Sequence, residues 1–267
     1  MSLRAAVLIP CLNEERAIRA IVEGVLQHTP HVIVVDDGSS DGTVAALSGL
    51  PIELIRHERP GGKGNALRAG FRRALELDVD GVLTMDGDGQ HFHGDVPRIL
   101  RVAAGLPGHI VVGARLIGRE CQPKIRRIAN DIADWGIAWA VGQRLVDSQS
   151  GQRWYPREVV SLAIDVAPQG FVFEADILIE AARRLGTRVA AVPIAVRYAG
   201  EFRRSHFKPL RDFCRITSHV IGRVVEVGSV IRTYRIARAT PIEVIDPDGA
   251  RVRVPPQAAG AAGRVSP

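Results

Sequence analysis

Short apolar runs alternate with amphipathic stretches through the first hundred residues of the chain. Residues 5–9, 32–35, 52–55, 81–85 and 110–112 are dominated by Val, Ile, Leu and Ala, the pattern of strands buried on both faces. Between them, 14–26, 65–77 and 95–104 carry apolar residues at helical spacing; in the first, Ile18, Ile21, Val22 and Val25 make one stripe. Strand and helix in turn imply crossovers, and hence a mostly parallel sheet flanked by helices, an α/β fold of the Rossmann-like kind.

Beyond Pro123 the spacing predicts helices over 125–141 and 172–185, the latter with Phe173, Ile177, Leu178 and Ala181 inward, and a strand over 188–196. Over 209–235, Leu210, Phe213, Ile216, Val220, Val224, Ile231 and Tyr234 form an apolar stripe, with Arg211, Arg215, Arg223, Arg232 and Arg235 largely elsewhere. Such a segment either packs on a core or lies in a membrane interface with its arginines toward anionic headgroups. Residues 241–254 read as a hairpin across Pro247-Asp248-Gly249, and the Pro/Ala/Gly-rich end as a disordered tail. The expected organisation is a catalytic unit over 1–208, an amphipathic helical segment over 209–240, a small hairpin over 241–254 and a tail over 255–267.

Composition narrows this picture only slightly. The chain has 267 residues, 46% of them hydrophobic, enough for one full α/β core. Its net charge of +6 and pI near 9.8 suit an anionic partner, whether nucleotide, lipid surface or nucleic acid. Arginine carries nearly all of the charge, since Lys63, Lys124 and Lys208 are the only lysines. Cys11, Cys121 and Cys214 lack metal-ligand spacing and fit a reducing cytoplasm better than a disulfide framework. No signal peptide is legible after Met1, and no apolar run has the length that spans a bilayer. The expectation is a cytoplasmic protein, soluble or peripheral on the cytoplasmic face of the membrane.

Candidate chemistry gathers in the loops after the strands. Asp86-Gly87-Asp88 ends the run 81–85, placing two carboxylates one residue apart at the carboxyl edge of a sheet, where open α/β folds bind ligands. Both acids can reach one Mg²⁺ or Mn²⁺, or Asp88 can merely cap the helix that follows. Ile9-Pro10-Cys11-Leu12-Asn13-Glu14 follows the first strand. Asp36-Asp37-Gly38-Ser39-Ser40-Asp41-Gly42-Thr43 follows the second, where a carboxylate can accept hydrogen bonds from a base or ribose or serve backbone groups. Gly61-Gly62-Lys63-Gly64-Asn65 precedes a helix without Walker spacing, and reads equally as a structural glycine turn or a nucleotide contact.

In order, these blocks together with Gly113-Ala114-Arg115 resemble the family 2 glycosyltransferases of the GT-A fold, and among them the polyprenyl-phosphate, or dolichol-phosphate-mannose-synthase-like, transferases. The resemblance spans roughly residues 5–210. It implies a nucleotide-diphospho-sugar donor lined by Pro10, Leu12, Glu14, Val35 and Asp37, with Lys63, Asp86, Gly87 and Asp88 among the residues that bind it. It implies a Mg²⁺ or Mn²⁺ ion held by Asp88 and Gln90 with Asp86 close by, and Arg197 and Arg203 on a loop over the diphosphate. Leu12 departs from the aromatic residue frequent in the family. Asp147-Ser148-Gln149-Ser150-Gly151-Gln152-Arg153 resembles its acceptor-side segment, with Gln152 where an aromatic is frequent. Arg115, Arg126, Arg127 and Ser150 would meet a lipid-phosphate or lipid-linked acceptor on an anionic membrane surface, and nucleic acid has no part.

An acceptor phosphate is already anionic and needs no strong base, whereas an acceptor hydroxyl calls for Asp147, Glu174 or Asp176 to take its proton. Those three acids also read as turn or helix-start residues. Rival readings are a nucleotidyltransferase, whose glycine loop should follow the first strand, and a nucleotide-sugar-binding module without catalysis. The sequence leaves donor, acceptor and oligomeric state open.

Overall fold

The computed structural model describes residues 3–118, 124–167, 172–195, 222–223, 225, 230–246 and 251–254. Strands β1 (Ala5–Cys11), β2 (Val32–Asp36), β3 (Glu53–Arg56) and β4 (Gly81–Thr84) pair in parallel in the order β3-β2-β1-β4. They alternate with α1 (Ile18–Leu26) and α3 (Lys63–Leu75), as the hydrophobic pattern predicts, and with the four-residue α2 (Thr43–Ala46), which it does not. A 3₁₀ turn (His93–Asp95) and α4 (Val96–Gly105) lead to β5 (Ile110–Ile117), then α5 (Lys124–Val141).

Next come β6 (Arg153–Pro156), α6 (Arg157–Ala163), α7 (Phe173–Leu185) and β7 (Val189–Ala195). Strand β6 inserts antiparallel between β4 and β5, while β7 continues parallel to β5. Helix α8 (Val230–Ala239) is followed by β8 (Ile242–Ile245) and β9 (Arg251–Val254), an antiparallel hairpin whose β8 adds to β7. The hairpin therefore extends the one nine-stranded sheet of the described residues, ordered β3-β2-β1-β4-β6-β5-β7-β8-β9. The turn over 247–249, the tail over 255–267 and most of the predicted stripe over 209–229 lie outside the described residues.

Both faces of the sheet are covered at β1, β2 and β4, which is why these strands read as continuous apolar runs, whereas the edge strand β3 is only partly buried. Along β1, Ala6 and Leu8 face Phe71 of α3 and Phe173 of α7, while Val7 and Ile9 face Ile18 and Val22 of α1 and Ile99 of α4. Each such Leu, Ile, Val or Phe contributes about 1.5–3 kcal/mol by leaving water. Among the described residues no helix is long and apolar enough to cross a membrane.

Three differences from the sequence expectation have physical causes. The first helix starts at Ile18 rather than at residue 14, because Asn13 is left-handed (φ 58°) and the Glu14 carbonyl closes a turn onto the Ala17 and Ile18 amides. Strand β5 runs on to Ile117 beside β7. Strand β6 was not expected, since Arg153-Trp154-Tyr155-Pro156 has no strand pattern; its pairing with β4 and β5 and the burial of all four residues make it one.

Candidate active site

Register fixes where the site lies. Cys11 pairs with Asp36 and Leu8 with Thr84, so the loops after β1, β2 and β4 leave the same carboxyl edge. Because β6 runs the other way, Thr84 pairs with its first residue, Arg153, and the 147–152 segment arrives at that edge too.

The first two loops hold each other. The Asn13 amide donates to Ser39 Oγ (2.8 Å), Asn13 Oδ1 accepts from the Ser40 amide (2.8 Å), and the Glu14 amide donates to Thr43 Oγ1 (2.8 Å). Asp37 is buried and accepts from the Gly61 and Gly62 amides (2.9 and 2.6 Å), with His57 Nδ1 at 2.8 Å. It thereby anchors the glycine turn, where Gly62 has φ 88°, that starts α3 and delivers Lys63. Pro10 and Val35 are buried, whereas Leu12 and Glu14 are half-buried at the opening.

Lys63 joins two separate acids. Its Nζ lies 2.7 Å from Asp86 Oδ1 and 2.9 Å from Glu174 Oε2, which enters from the first turn of α7. Burial alone would lower the lysine's pKa, but the two carboxylates reverse this and raise it, so the ammonium is permanent. Asp86, in spite of burial, is correspondingly lowered by Lys63. Asp88 behaves oppositely: burial and then the Asp86 charge raise its pKa, while the Gln90 amide donates to its Oδ1 at 3.0 Å. Gly87 fits against Cys11 Cβ and the Pro10 carbonyl, which closes the β4 loop onto the β1 loop.

A divalent ion fits this donor set. Two hard carboxylates one residue apart repel each other, and a cation between them removes that repulsion. Among the described residues no three His, Cys, Asp or Glu converge on one point. A Mg²⁺ or Mn²⁺ here would take one or two carboxylates and complete its shell with phosphate oxygens and water, the usual habit of these ions at nucleotide sites. His91, missed in the sequence reading, is buried beside the pair with Nε2 3.9 Å from Asp86 Oδ2. Burial pushes its imidazole down to about 4, against the pull of Asp86, so it is neutral near pH 7; its Nδ1 has no hydrogen-bond partner among the described residues.

Gly151 shapes the same spot. A Cβ at this position would collide with the Asp86 carboxylate. Gly151→Ala should therefore displace Asp86 and lower catalytic turnover by about 10²-fold. Turnover within twofold of the parent would show that Asp86 need not stand where it does.

The other wall is built by Arg115 and Asp147. Asp147 Oδ2 accepts from the Arg115 amide (2.7 Å) and Nε (2.8 Å), and Oδ1 from the guanidinium at 2.6 Å, a fork geometry that fixes the arginine. Asp147 is itself left-handed (φ 52°), held by Asp134 of α5, which accepts from the Asp147 amide (2.7 Å), the Ser148 amide (2.7 Å) and Ser148 Oγ (2.5 Å). Beneath them Arg153, 1% exposed, donates to the carbonyls of Ser150 (2.5 Å), Ser148 (2.6 Å) and Glu174 (3.3 Å), tying the 147–152 segment to α7. Neither Asp134 nor Arg153 was singled out from sequence, because a buried charge inside a helix pattern or at a strand start leaves no local mark.

Asp134 carries a pH signature. Burial first and the Asp147 charge second push its carboxyl up to about 6. An unfolded aspartate titrates near 3.9, so between about pH 4 and 6 the folded chain holds the extra proton. This stabilisation is fully present below the unfolded value and is lost as pH rises through the folded one, at up to about 1.4 kcal/mol per pH unit. Asp134→Asn should flatten the stability profile between pH 4 and 6 in chemical denaturation; an unchanged slope would assign that titration elsewhere.

The structure thus brings together Lys63, Asp86 and Glu174, sets Asp88 and Gln90 beside them, and pairs Arg115 with Asp147. Asp176 lies 3.4 Å from Arg223 Nε, in a second ion pair away from Lys63. Ser150, expected near the acceptor, is fully buried with its hydroxyl at 3.4 Å from the Gln152 amide. Arg127 is half-buried on α5. The Arg126 side chain, Arg197 and Arg203 fall outside the described residues.

Known proteins resemble this chain in both sequence and fold. The family described as Glycosyl transferase family 2 matches residues 6–160. An undecaprenyl-phosphate mannosyltransferase of Micrococcus luteus is 30% identical over 226 residues, 76% of this chain and 88% of the relative. A polyprenol monophosphomannose synthase of Mycolicibacterium smegmatis is 31% identical over 205 residues, covering 72% and 76%. The crystal structure of glucosyl-3-phosphoglycerate synthase from Mycobacterium tuberculosis with Mn²⁺, UDP-glucose and phosphoglyceric acid superposes with TM-score 0.62 at 24% identity, over 84% of this chain and 79% of that one. That likeness concerns the fold, which is GT-A.

Proposed function

The chain belongs to glycosyl transferase family 2, and from that premise we propose that it moves a sugar from a nucleotide-diphospho-sugar to a polyprenyl phosphate, with inversion and with a divalent metal. The observation that carries this reading is the Asp86, Asp88 and Lys63 cluster at the carboxyl edge, with Arg115, held in a carboxylate fork, near enough for its charge to act on both acids. Relatives named for undecaprenyl-phosphate and polyprenol substrates support the acceptor class.

In this reading Pro10, Leu12, Glu14, Val35 and Asp37 line the nucleoside. Asp88 and Asp86 would hold Mg²⁺ or Mn²⁺, with Gln90 adjoining; the ion supplies charge neutralisation for the departing diphosphate. Lys63 and Glu174 present a fixed ammonium and carboxylate to the sugar side. Arg115, set by Asp147, orients the acceptor phosphate together with Arg126 and Arg127, and Arg197 and Arg203 belong to the donor side. An acceptor phosphate oxygen attacks the anomeric carbon from the face opposite the leaving group. The bond from that carbon to the β-phosphate oxygen breaks, and its electron pair leaves with the nucleoside diphosphate. The attacking oxygen is already anionic, so Asp147, Glu174 and Asp176 need take no proton; the first two are engaged by Arg115 and Lys63.

A donor screen tests this. UDP-, GDP- and dTDP-sugars with Mn²⁺ are offered with polyprenyl phosphate or with a lipid hydroxyl. Label should pass to the polyprenyl phosphate from one donor class and stop with EDTA. Transfer only to the hydroxyl would replace the acceptor assignment, and nucleotide binding without any transfer would make the chain a binding module.

A further inference from the structure

Helix α5 has two working sides. Toward the core and the acceptor wall it buries Ile137, Ala138, Ala140 and Asp134. Away from them Ile128, Ile132 and Trp135, spaced by four and three residues on one stripe, are 58%, 49% and 41% exposed. Helix α8 packs alongside through aromatic rings: Tyr234 stacks on Trp135 at 5.2 Å between centroids and meets Trp139 edge-on at 5.4 Å. Ile231, 68% exposed, lies three residues before Tyr234 and so on the side of α8 that meets Trp135. Arg232, Arg235 and Arg238 are exposed on α8, which contains no acidic residue. On α5, the exposed Asp131 stands one turn after Arg127.

We infer that the Ile128, Ile132, Trp135, Ile231 and Tyr234 surface of α5 and α8 docks on an anionic lipid bilayer, with the α8 arginines at the headgroups. Large apolar side chains and amphipathic aromatics beside an arginine-rich, acid-free helix are the composition of an interfacial helix surface, and the single exposed acid of the α5 side, Asp131, stands one turn from Arg127. A second copy is the poorer occupant, because a two-fold contact through this face would set arginine-rich helices against each other. Position gives the second argument. Asp134, about 100° round the helix from Trp135, holds the turn that carries Asp147 and so Arg115. One helix would therefore set both the bilayer surface and the arginine assigned to the acceptor phosphate. The inference rests on the proposed acceptor only in taking a bilayer as the place where that phosphate is met.

The test uses the full chain without substrates. Wild-type protein should co-sediment with phosphatidylcholine vesicles containing about one third phosphatidylglycerol at low salt and be released as salt rises. Brominated lipid should quench tryptophan fluorescence, and Trp135→Phe with Trp139→Phe should remove most of that quenching, since the remaining Trp154 is in the core. Ile132→Glu with Trp135→Glu should weaken vesicle binding at least about tenfold. Arg232, Arg235 and Arg238 changed to Gln should abolish the salt dependence without touching the apolar face. Parent-like vesicle binding by both variants, or wild-type protein left in the supernatant at low salt, would overturn the inference. So would a wild-type dimer that Trp135→Glu dissociates. Failure of the transferase reading shows separately: transfer to a short, water-soluble polyprenyl phosphate should survive Trp135→Glu, and its absence in the wild type would refute the activity and not the docking surface.

Discussion

Alanine in place of Asp88 should lower metal-dependent sugar transfer by at least about 10³-fold, with a melting temperature within about 3 °C of the parent. The two halves of this expectation have one cause. Burial and the neighbouring Asp86 charge hold the Asp88 carboxyl above its ordinary pKa, so the folded chain keeps this group at a cost, which in the proposed reading a bound cation would offset. Removing it relieves that repulsion and gives up the bond from the Gln90 amide, worth about 1 kcal/mol. Near-normal transfer by Asp88→Ala in initial-rate assays would remove Asp88 from the metal site.

Arg153→Met should do the reverse, lowering the stability of the fold well before it informs on chemistry. The buried guanidinium satisfies three main-chain carbonyls and lies 3.8 Å from Glu174 Oε1. A methionine fills much of the volume but leaves those acceptors unsatisfied and Glu174 with Lys63 as its remaining charged partner. Breaking such a buried pair costs about 3–5 kcal/mol, or roughly 10 °C in melting temperature for a chain of this size. Calorimetry reads this directly. A shift below about 2 °C would mean that the 147–152 segment is held by something other than Arg153.

These two residues mark how much of the molecule was legible in its sequence. The position of Asp88 could be read because a loop at the carboxyl edge leaves a local pattern, two acids and two glycines after an apolar run. Strands β1, β2, β4 and β5 could be read for the same kind of reason: burial on both faces demands uninterrupted apolar residues. Arg153 could not, because what makes it tolerable in the core is three carbonyls contributed by segments around residues 148–150 and 174. Lys63 and Glu174 were each noticed as isolated candidates, but their meeting at Asp86 depends on α3 and α7 reaching one sheet edge. Asp37 shows the opposite limit. Its segment reads either as a base or ribose acceptor or as a server of backbone groups, and its two carboxylate oxygens anchor the Gly61-Gly62 turn, a partner 24 residues on that residue type alone does not identify.

The most direct measurement follows the acceptor phosphorus itself. With the donor identified by the screen, Mn²⁺ and undecaprenyl phosphate, ³¹P NMR should show the acceptor phosphomonoester resonance converting to a phosphodiester while free nucleoside diphosphate appears in equal amount. A phosphomonoester signal that stays unchanged while the donor is consumed would contradict transfer to a lipid phosphate.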